Sequence, residues 1–202
     1  MAEARPEGDL VIAIAPLRRS LAAVLVSACA FAAVGGTAAE ALAATPDMPS
    51  SPSGTARLTA AQRTVLLDAT RRFRDVRRAI RAGYLPTKDC VPGMGFHYVK
   101  PALAADNNID PVLPEILVYN LDAHGKLRLS ALEYFRADAD QRLRTDQDRP
   151  TLFGRPFNGP MNGHPVPPGQ PPMPVHYDLH VWLYQHNPSG ELATTNPQVA
   201  CR

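Results

Sequence analysis

The chain has 202 residues, of which 45% are hydrophobic and 20% charged, and this balance excludes a disordered protein. Its formal net charge is only +2 at pH 7, which argues against nucleic acid as a partner. The 21 prolines predict many fixed loops and few long regular elements after the first helix.

Residues 1–43 have the three parts of a secretory signal peptide. Arg18 and Arg19 precede an uncharged apolar run over residues 21–34, and small residues follow around Ala41. The run is shorter than the roughly 20 apolar residues of a membrane-spanning helix, so we expect no transmembrane anchor in the mature chain. Paired arginines also occur in twin-arginine signals, so the sequence is compatible with export by either the general secretory route or the twin-arginine route. The sequence thus predicts a secreted or extracytoplasmic protein.

Residues 44–57 are rich in proline, serine and glycine and predict a flexible linker, after which residues 58–202 form a single globular domain. The domain begins with a long helix, predicted over residues 60–82. Thr59 and Gln62 have the spacing of a capping box at its start. Apolar residues recur at helical spacing and predict the buried face. They are Val65, Leu66, Ala69, Phe73, Val76 and Ile80.

Beyond the helix, short β-type runs separated by turns predict an antiparallel sheet. The last run, residues 175–184, is rich in β-branched and aromatic residues. Residues 158–174 are dominated by proline and glycine and predict an irregular loop. We therefore expect an α+β fold, in which the long N-terminal helix packs on a curved antiparallel sheet or small barrel with proline-rich loops. The other predicted strands cover residues 95–99, 115–119 and 127–135.

Two cysteines remain in the predicted mature chain, because Cys29 lies within the signal peptide. An even pair in an oxidising compartment predicts a disulfide between Cys90 and Cys201. The loop that this disulfide closes spans most of the domain, so we expect it to contribute strongly to stability.

Three of the six histidines fall within eleven residues near the C-terminus, residues 176–186. Because side chains alternate along a strand, His176, Asp178 and His180 share one face. A helix would also place the two histidines on one side, at positions i and i+4. Imidazole ligands are typical of divalent-metal sites, and Asp178 between them is suited to orient an imidazole that binds metal.

A carboxylate also lies where the pattern predicts an apolar face. Glu133 alternates with apolar residues over 127–135, and a buried carboxylate is costly unless it is paired, coordinated or protonated. Glu115 raises the same question more weakly, and His97 lies inside an aromatic strand. Together these residues predict a divalent-metal-binding protein or small metalloenzyme, with iron, copper or zinc as the ion. The predicted metal ligands are His176, His180, Glu133 and His97.

The competing interpretation is a non-catalytic exported module that binds a protein, a glycan or a surface. The histidines and acids would then hydrogen-bond one another as a structural polar seam. An arginine face on the first helix would provide the binding surface instead. That face consists of Arg71, Arg74, Arg78 and Arg81. The pattern leaves open both the choice between an enzyme and a binding protein and the identity of a protein or small-molecule partner.

Four segments resemble those of an uncharacterised group of exported bacterial proteins, and the resemblance covers most of residues 60–201. The group has no established activity, so the resemblance implies export and assigns no functional residue. The segments are residues 90–99 (CVPGMGFHYV), 132–134 (LEY), 151–157 (TLFGRPF) and 175–188 (VHYDLHVWLYQHNP).

Overall fold

The computed structural model of this chain describes residues 57–164 and 172–201. The first helix, α1 (Ala60–Thr70), begins at the predicted capping box. The Thr59 hydroxyl accepts a hydrogen bond from the backbone N–H of Gln62 at 3.2 Å. The Gln62 side-chain oxygen accepts from the backbone N–H of Thr59 at 2.9 Å. These reciprocal bonds satisfy two of the N–H groups that the start of a helix leaves free, and the predicted capping box is confirmed.

The predicted long helix is wrong, because the helical segment is interrupted after α1. The Thr70 hydroxyl donates to a carbonyl four residues earlier at 2.6 Å, a local bond that competes with regular helix geometry. One 3-10 turn, Arg71–Arg74, follows. Asp75 is then extended, with φ −90° and ψ 106°, and its carboxylate accepts from the backbone N–H of Arg77 at 3.1 Å. This cap starts the short helix α2 (Val76–Arg81).

The interruption also changes which apolar residues face the core. Leu66 and Phe73 are buried, with 0% and 2% exposure, and so is Ala79. Two residues predicted on the buried face are exposed: Val65 within α1, at 43%, and Ile80 beyond the interruption, at 46%. For Ile80 the reason is that a 3-10 turn has 3.0 rather than 3.6 residues per turn, so one helical stripe does not continue across it.

An antiparallel sheet of six strands dominates the described residues. The remaining elements in chain order are β1 (Leu85–Val91), β2 (Gly95–Val99), α3 (Pro101–Ala104), β3 (Ile116–Leu121), β4 (Leu127–Ala137), β5 (Thr151–Leu152), β6 (Arg155–Pro156), β7 (Asn158–Met161) and β8 (His176–Val181). The strand order is β1-β2-β3-β4-β8-β7, and β5 pairs with β6 separately. In this open sheet β1 and β7 are the two edges, so the predicted small barrel is wrong. The predicted α+β class is corrected as well, to a mainly β fold with short helices.

Each face of the sheet is covered by a different part of the chain. The helical segment covers one face, where Phe73 belongs to the main hydrophobic core and its carbonyl accepts from the Tyr119 hydroxyl at 2.6 Å. On the other face, Trp182 and Val199 from the C-terminal segment pack with Val118 and Ala131. All six residues of β8 are consequently buried, including its polar ones.

The predicted disulfide is confirmed: Cys90 of β1 is bonded to Cys201. Their Cα atoms are 5.6 Å apart, and the two residues are separated by 111 positions in the chain. Next to the disulfide, the Gly93 N–H donates to the Val199 carbonyl at 3.2 Å, and the Asn196 N–H donates to the Gly93 carbonyl at 2.7 Å. The disulfide and these bonds hold the C-terminal segment against the turn between β1 and β2.

The described residues all belong to one compact unit. No helix among them is long and apolar enough to cross a membrane. The predicted signal peptide, residues 1–43, lies outside the described residues, as does the predicted linker, residues 44–57, apart from its last residue. Residues 165–171 of the predicted proline-rich loop also lie outside them. The signal, linker and domain boundaries therefore stay predictions.

Candidate metal centre

Three strands bring two imidazoles and a carboxylate together on the sheet face opposite the helices. The pairing of β4 with β8 puts Glu133 directly opposite His180. His97 on β2 is brought to the same face through β3, where Val118 pairs with His97 and Ile116 pairs with Glu133. Since Val118 and Ile116 are two residues apart, their side chains point to the same face, and so do those of their partners.

The Glu133 carboxylate is the centre of this group. Its Oε2 atom lies 3.2 Å from Nε2 of His97 and 3.5 Å from Nε2 of His180. Candidate ligand atoms of all three residues lie within 4.8 Å of one another. Two ligand atoms bound at about 2.1 Å to a tetrahedral ion stand about 3.4 Å apart, so the two shorter distances match the spacing around a metal such as zinc.

These short contacts do not have hydrogen-bond geometry. Glu133 Oε2 is buried without a hydrogen-bond partner among the described residues, and the same holds for both ring nitrogens of His180. Buried polar atoms in proteins are nearly always hydrogen-bonded. A polar seam would pair these atoms by hydrogen bonds, but Oε2 of Glu133 and Nε2 of His180 face each other unpaired at 3.5 Å, as two ligands of a cation would.

Burial and mutual charge shift the pKa values of the three residues in different directions. Burial alone would raise the pKa of Glu133, but the imidazoles of His180 and His97 outweigh it and hold that pKa below its usual range. Burial lowers the pKa of His180. Burial also opposes charge on His97, but the Glu133 carboxylate outweighs this effect and raises the pKa of His97. Metal binds an ionised carboxylate and neutral imidazoles, so the directions of these pKa shifts favour binding at Glu133 and His180 and oppose it at His97.

Asp178 lies beside His180 on β8. Its Oδ1 atom is 4.0 Å from Nδ1 of His180, longer than a hydrogen bond, and it accepts a hydrogen bond from Nδ2 of Asn158 at 3.5 Å. Burial raises the pKa of Asp178 to about 7, and the charge of Glu133 acts in the same direction. Metal-binding imidazoles commonly donate their second ring N–H to a carboxylate, which sets the ring orientation. The position of Asp178 is compatible with the orienting role predicted for it.

His176 is not part of the group formed by His97, Glu133 and His180. His176 and His180 share a face of β8, but four residues of extended chain separate them by about 13 Å at roughly 3.3 Å per residue. Nδ1 of His176 instead contacts the Pro174 carbonyl at 3.0 Å. Its ring packs beside that of Phe135, at 5.1 Å between centroids.

Glu115, the other predicted anomaly, is fully buried next to β3 and is a separate site. Its Oε2 atom accepts a hydrogen bond from the backbone N–H of Phe135 at 3.1 Å, and Oε1 has no partner among the described residues. Burial raises the pKa of Glu115 from 4.5 to about 8, against the lowering effect of the backbone hydrogen bonds. The folded chain therefore binds a proton at this residue over a pH range in which an exposed carboxyl group would be ionised.

We expect stability to fall with rising pH because of Glu115. Between its unfolded pKa of 4.5 and its folded pKa of about 8, the folded chain retains a proton that the unfolded chain has released. Between pH 5 and pH 7, the wild type should lose roughly 2 kcal/mol more of its free energy of unfolding than Glu115→Gln. Urea denaturation at each pH measures this difference, and parallel curves for the two proteins would contradict it.

Two neighbours of the predicted histidines are not evident from the sequence as members of a site. Asn158, which contacts Asp178, is 20 residues away in the chain. His164 lies beside His176, with ring centroids 5.6 Å apart. Both residues fall in the proline- and glycine-rich segment between β6 and β8, where no regular periodicity predicts which strand a residue will meet. The two histidines that flank residues 165–175, His164 and His176, are the signal in the sequence that could have found this neighbourhood.

Comparison with known proteins does not assign this chain to a family. No protein-family model, curated protein or solved structure matches the chain significantly. The function proposed below therefore rests on the residues and their arrangement.

Proposed function

We propose that this chain is an exported protein that binds one divalent metal ion through Nε2 of His97, Oε2 of Glu133 and Nε2 of His180. The observation that carries the proposal is the convergence of these three residues, with Oε2 of Glu133 and Nε2 of His180 buried and without hydrogen-bond partners among the described residues. A bound cation would neutralise the Glu133 carboxylate and take up the lone pairs of both imidazoles, which removes the cost of burying them.

Two imidazoles and a carboxylate suit zinc, iron and copper, which accept nitrogen and oxygen ligands. Three protein ligands leave at least one coordination position open, a feature of catalytic sites rather than of closed structural sites. The His97 side chain is 12% exposed, whereas that of His180 is 0% exposed. Water or a small molecule would therefore reach the ion from the side of the site where His97 lies. Asp178 would orient His180 through Nδ1.

The disulfide supports the exported part of the proposal. Disulfides persist in oxidising compartments and are rare in the cytoplasm of ordinary cells. The bond between Cys90 and Cys201 is compatible with the signal peptide predicted over residues 1–43. The proposed setting is therefore extracytoplasmic, where this protein would bind its ion after export.

The test is the metal content of the exported protein after dialysis, following reconstitution with iron, copper, zinc and manganese in turn. We expect roughly one ion per chain for at least one metal in the wild type, and loss of that ion in His180→Ala and Glu133→Gln. Glu133→Gln keeps the shape of the side chain, so it tests the ligand even if the smaller alanine disturbs the core. Affinity should also fall as the solution is acidified, because only neutral imidazole binds metal.

The matched control is His124→Ala, which removes an exposed histidine in the turn between β3 and β4. This variant should keep the ion, and circular dichroism should show all three variants folded. Substoichiometric binding of all four metals by the wild type would refute the metal proposal and favour the polar seam of a non-catalytic module. Stoichiometric metal that survives both Glu133→Gln and His180→Ala would refute the ligand set.

A further inference from the structure

His176 has a buried ring nitrogen for which the proposed metal centre has no use. Its side chain is fully buried, and Nδ1 lies 3.0 Å from the Pro174 carbonyl, which can only accept a hydrogen bond. Nδ1 therefore carries the proton, and Nε2 on the other side of the ring presents a lone pair. That nitrogen is buried without a hydrogen-bond partner among the described residues. Because buried polar atoms nearly always have a partner, we expect a bound ligand at this nitrogen.

A histidine lies close to this ring, and a methionine sulfur contacts the backbone of that histidine. The ring of His164 stands at 63° to that of His176, with centroids 5.6 Å apart. The sulfur of Met173 accepts a hydrogen bond from the backbone N–H of His164 at 3.4 Å and keeps a second lone pair free. A Cβ atom added at Gly163 would lie 1.9 Å from the Met173 carbonyl oxygen, so the two chain segments cross here at a distance that only glycine permits. This close crossing holds His164 and Met173 beside β8.

We propose that His164, Met173 and His176 form a second metal site, which binds a single Cu(I) ion. Thioether sulfur is a soft ligand that selects Cu(I), and neutral imidazole accepts copper as well. No carboxylate is part of this ligand set, so it carries no charge to attract a hard divalent ion. The proposed centre at Glu133 has the opposite character, with an anionic oxygen and no sulfur. The two sites therefore differ in the metal that each prefers.

The two sites are also separate in space. His176 and His180 stand about 13 Å apart along β8, so one ion cannot bridge them. Loss of one site should leave the other intact, which makes the two proposals independently testable. A failure to bind divalent metal at Glu133 would not affect Cu(I) binding at His176, and the reverse also holds.

The test titrates the exported protein with Cu(I) without oxygen, in competition with a chromogenic Cu(I) chelator. Ascorbate keeps the copper reduced and leaves the disulfide intact. We expect the wild type to bind a Cu(I) ion that His180→Ala retains. His164→Ala and Met173→Leu should each weaken that binding roughly tenfold or more. Met173→Leu conserves side-chain volume, and His164 is exposed, so neither change removes buried packing.

Matched controls are His124→Ala, an exposed histidine elsewhere, and Met94→Leu, a methionine in the turn between β1 and β2. Both should bind Cu(I) as the wild type does. X-ray absorption of the Cu(I) form should show nitrogen and sulfur neighbours, with the sulfur signal lost in Met173→Leu. The proposal is overturned if the wild type binds no Cu(I), if His180→Ala alone abolishes binding, or if sulfur coordination survives in Met173→Leu.

Discussion

Cys201→Ser should lower the free energy of unfolding by about 4 kcal/mol, because the disulfide closes a very long loop. The 111-residue separation of Cys90 and Cys201 means that the bond removes many extended conformations from the unfolded chain. The loss should also loosen the C-terminal segment, whose Val199 is buried against the second face of the sheet. Urea denaturation of the oxidised wild type and the variant measures the difference.

Two comparisons separate the disulfide from the side chain itself. Cys90→Ser should be as unstable as Cys201→Ser, because either change removes the same cross-link. Wild type treated with a thiol reductant should match both variants, and the reductant should leave the variants unaffected. Intact mass should show Cys90 and Cys201 oxidised in wild type purified from an oxidising compartment. Free thiols in that material, or equal stability of oxidised and reduced wild type, would contradict the prediction.

Phe73→Ala should cost roughly 3–5 kcal/mol of folding free energy, the range for removing a buried aromatic ring. The Phe73 side chain is 2% exposed and packs edge-to-face on Tyr84, with ring centroids 5.2 Å apart. Its ring is part of the core between the helical segment and the sheet. Truncation would leave a cavity at the place where the interrupted helix contacts β3, and chemical denaturation measures the cost.

Ile80→Ala is the matched control for Phe73→Ala. The two residues lie on the same apolar stripe in the sequence, but Ile80 is 46% exposed because the helix is interrupted between them. We expect Ile80→Ala to change stability by less than about 1 kcal/mol. Comparable losses from the two variants would mean that the helix continues unbroken and buries both side chains.

Local chemistry was sufficient for several features of this protein. The capping box at Thr59 depends only on residues three apart, and its bonds form inside one turn of helix. Two cysteines in a predicted exported domain have only each other to pair with, so the disulfide could be predicted without a fold. The strand at residues 176–181 likewise follows from its alternating, β-branched and aromatic residues.

The length of the helix was not predictable from periodicity. The apolar stripe continues through Asp75, and the polar side chains of Thr70 and Asp75 are compatible with either a helix or its interruption. The hydrogen bonds of these two side chains to nearby backbone groups favour the interruption, because they replace hydrogen bonds that a continuous helix would make. Packing of Phe73 against the sheet then adds to the stability of the interrupted form.

Which residues form the metal centre could be seen only in the tertiary structure. Alternation along single strands determined that His176, His180 and Glu133 sit on faces where buried polar groups need a partner. Only strand order and register decided that Glu133 meets His180 directly and His97 through β3, while His176 lies a further four residues along β8. Along one strand, successive residues on the same face are two positions apart in sequence and about 7 Å apart in space. Ligands of one ion must come within a few ångströms, and adjacent strands, at about 4.8 Å, bring them closer than one strand can.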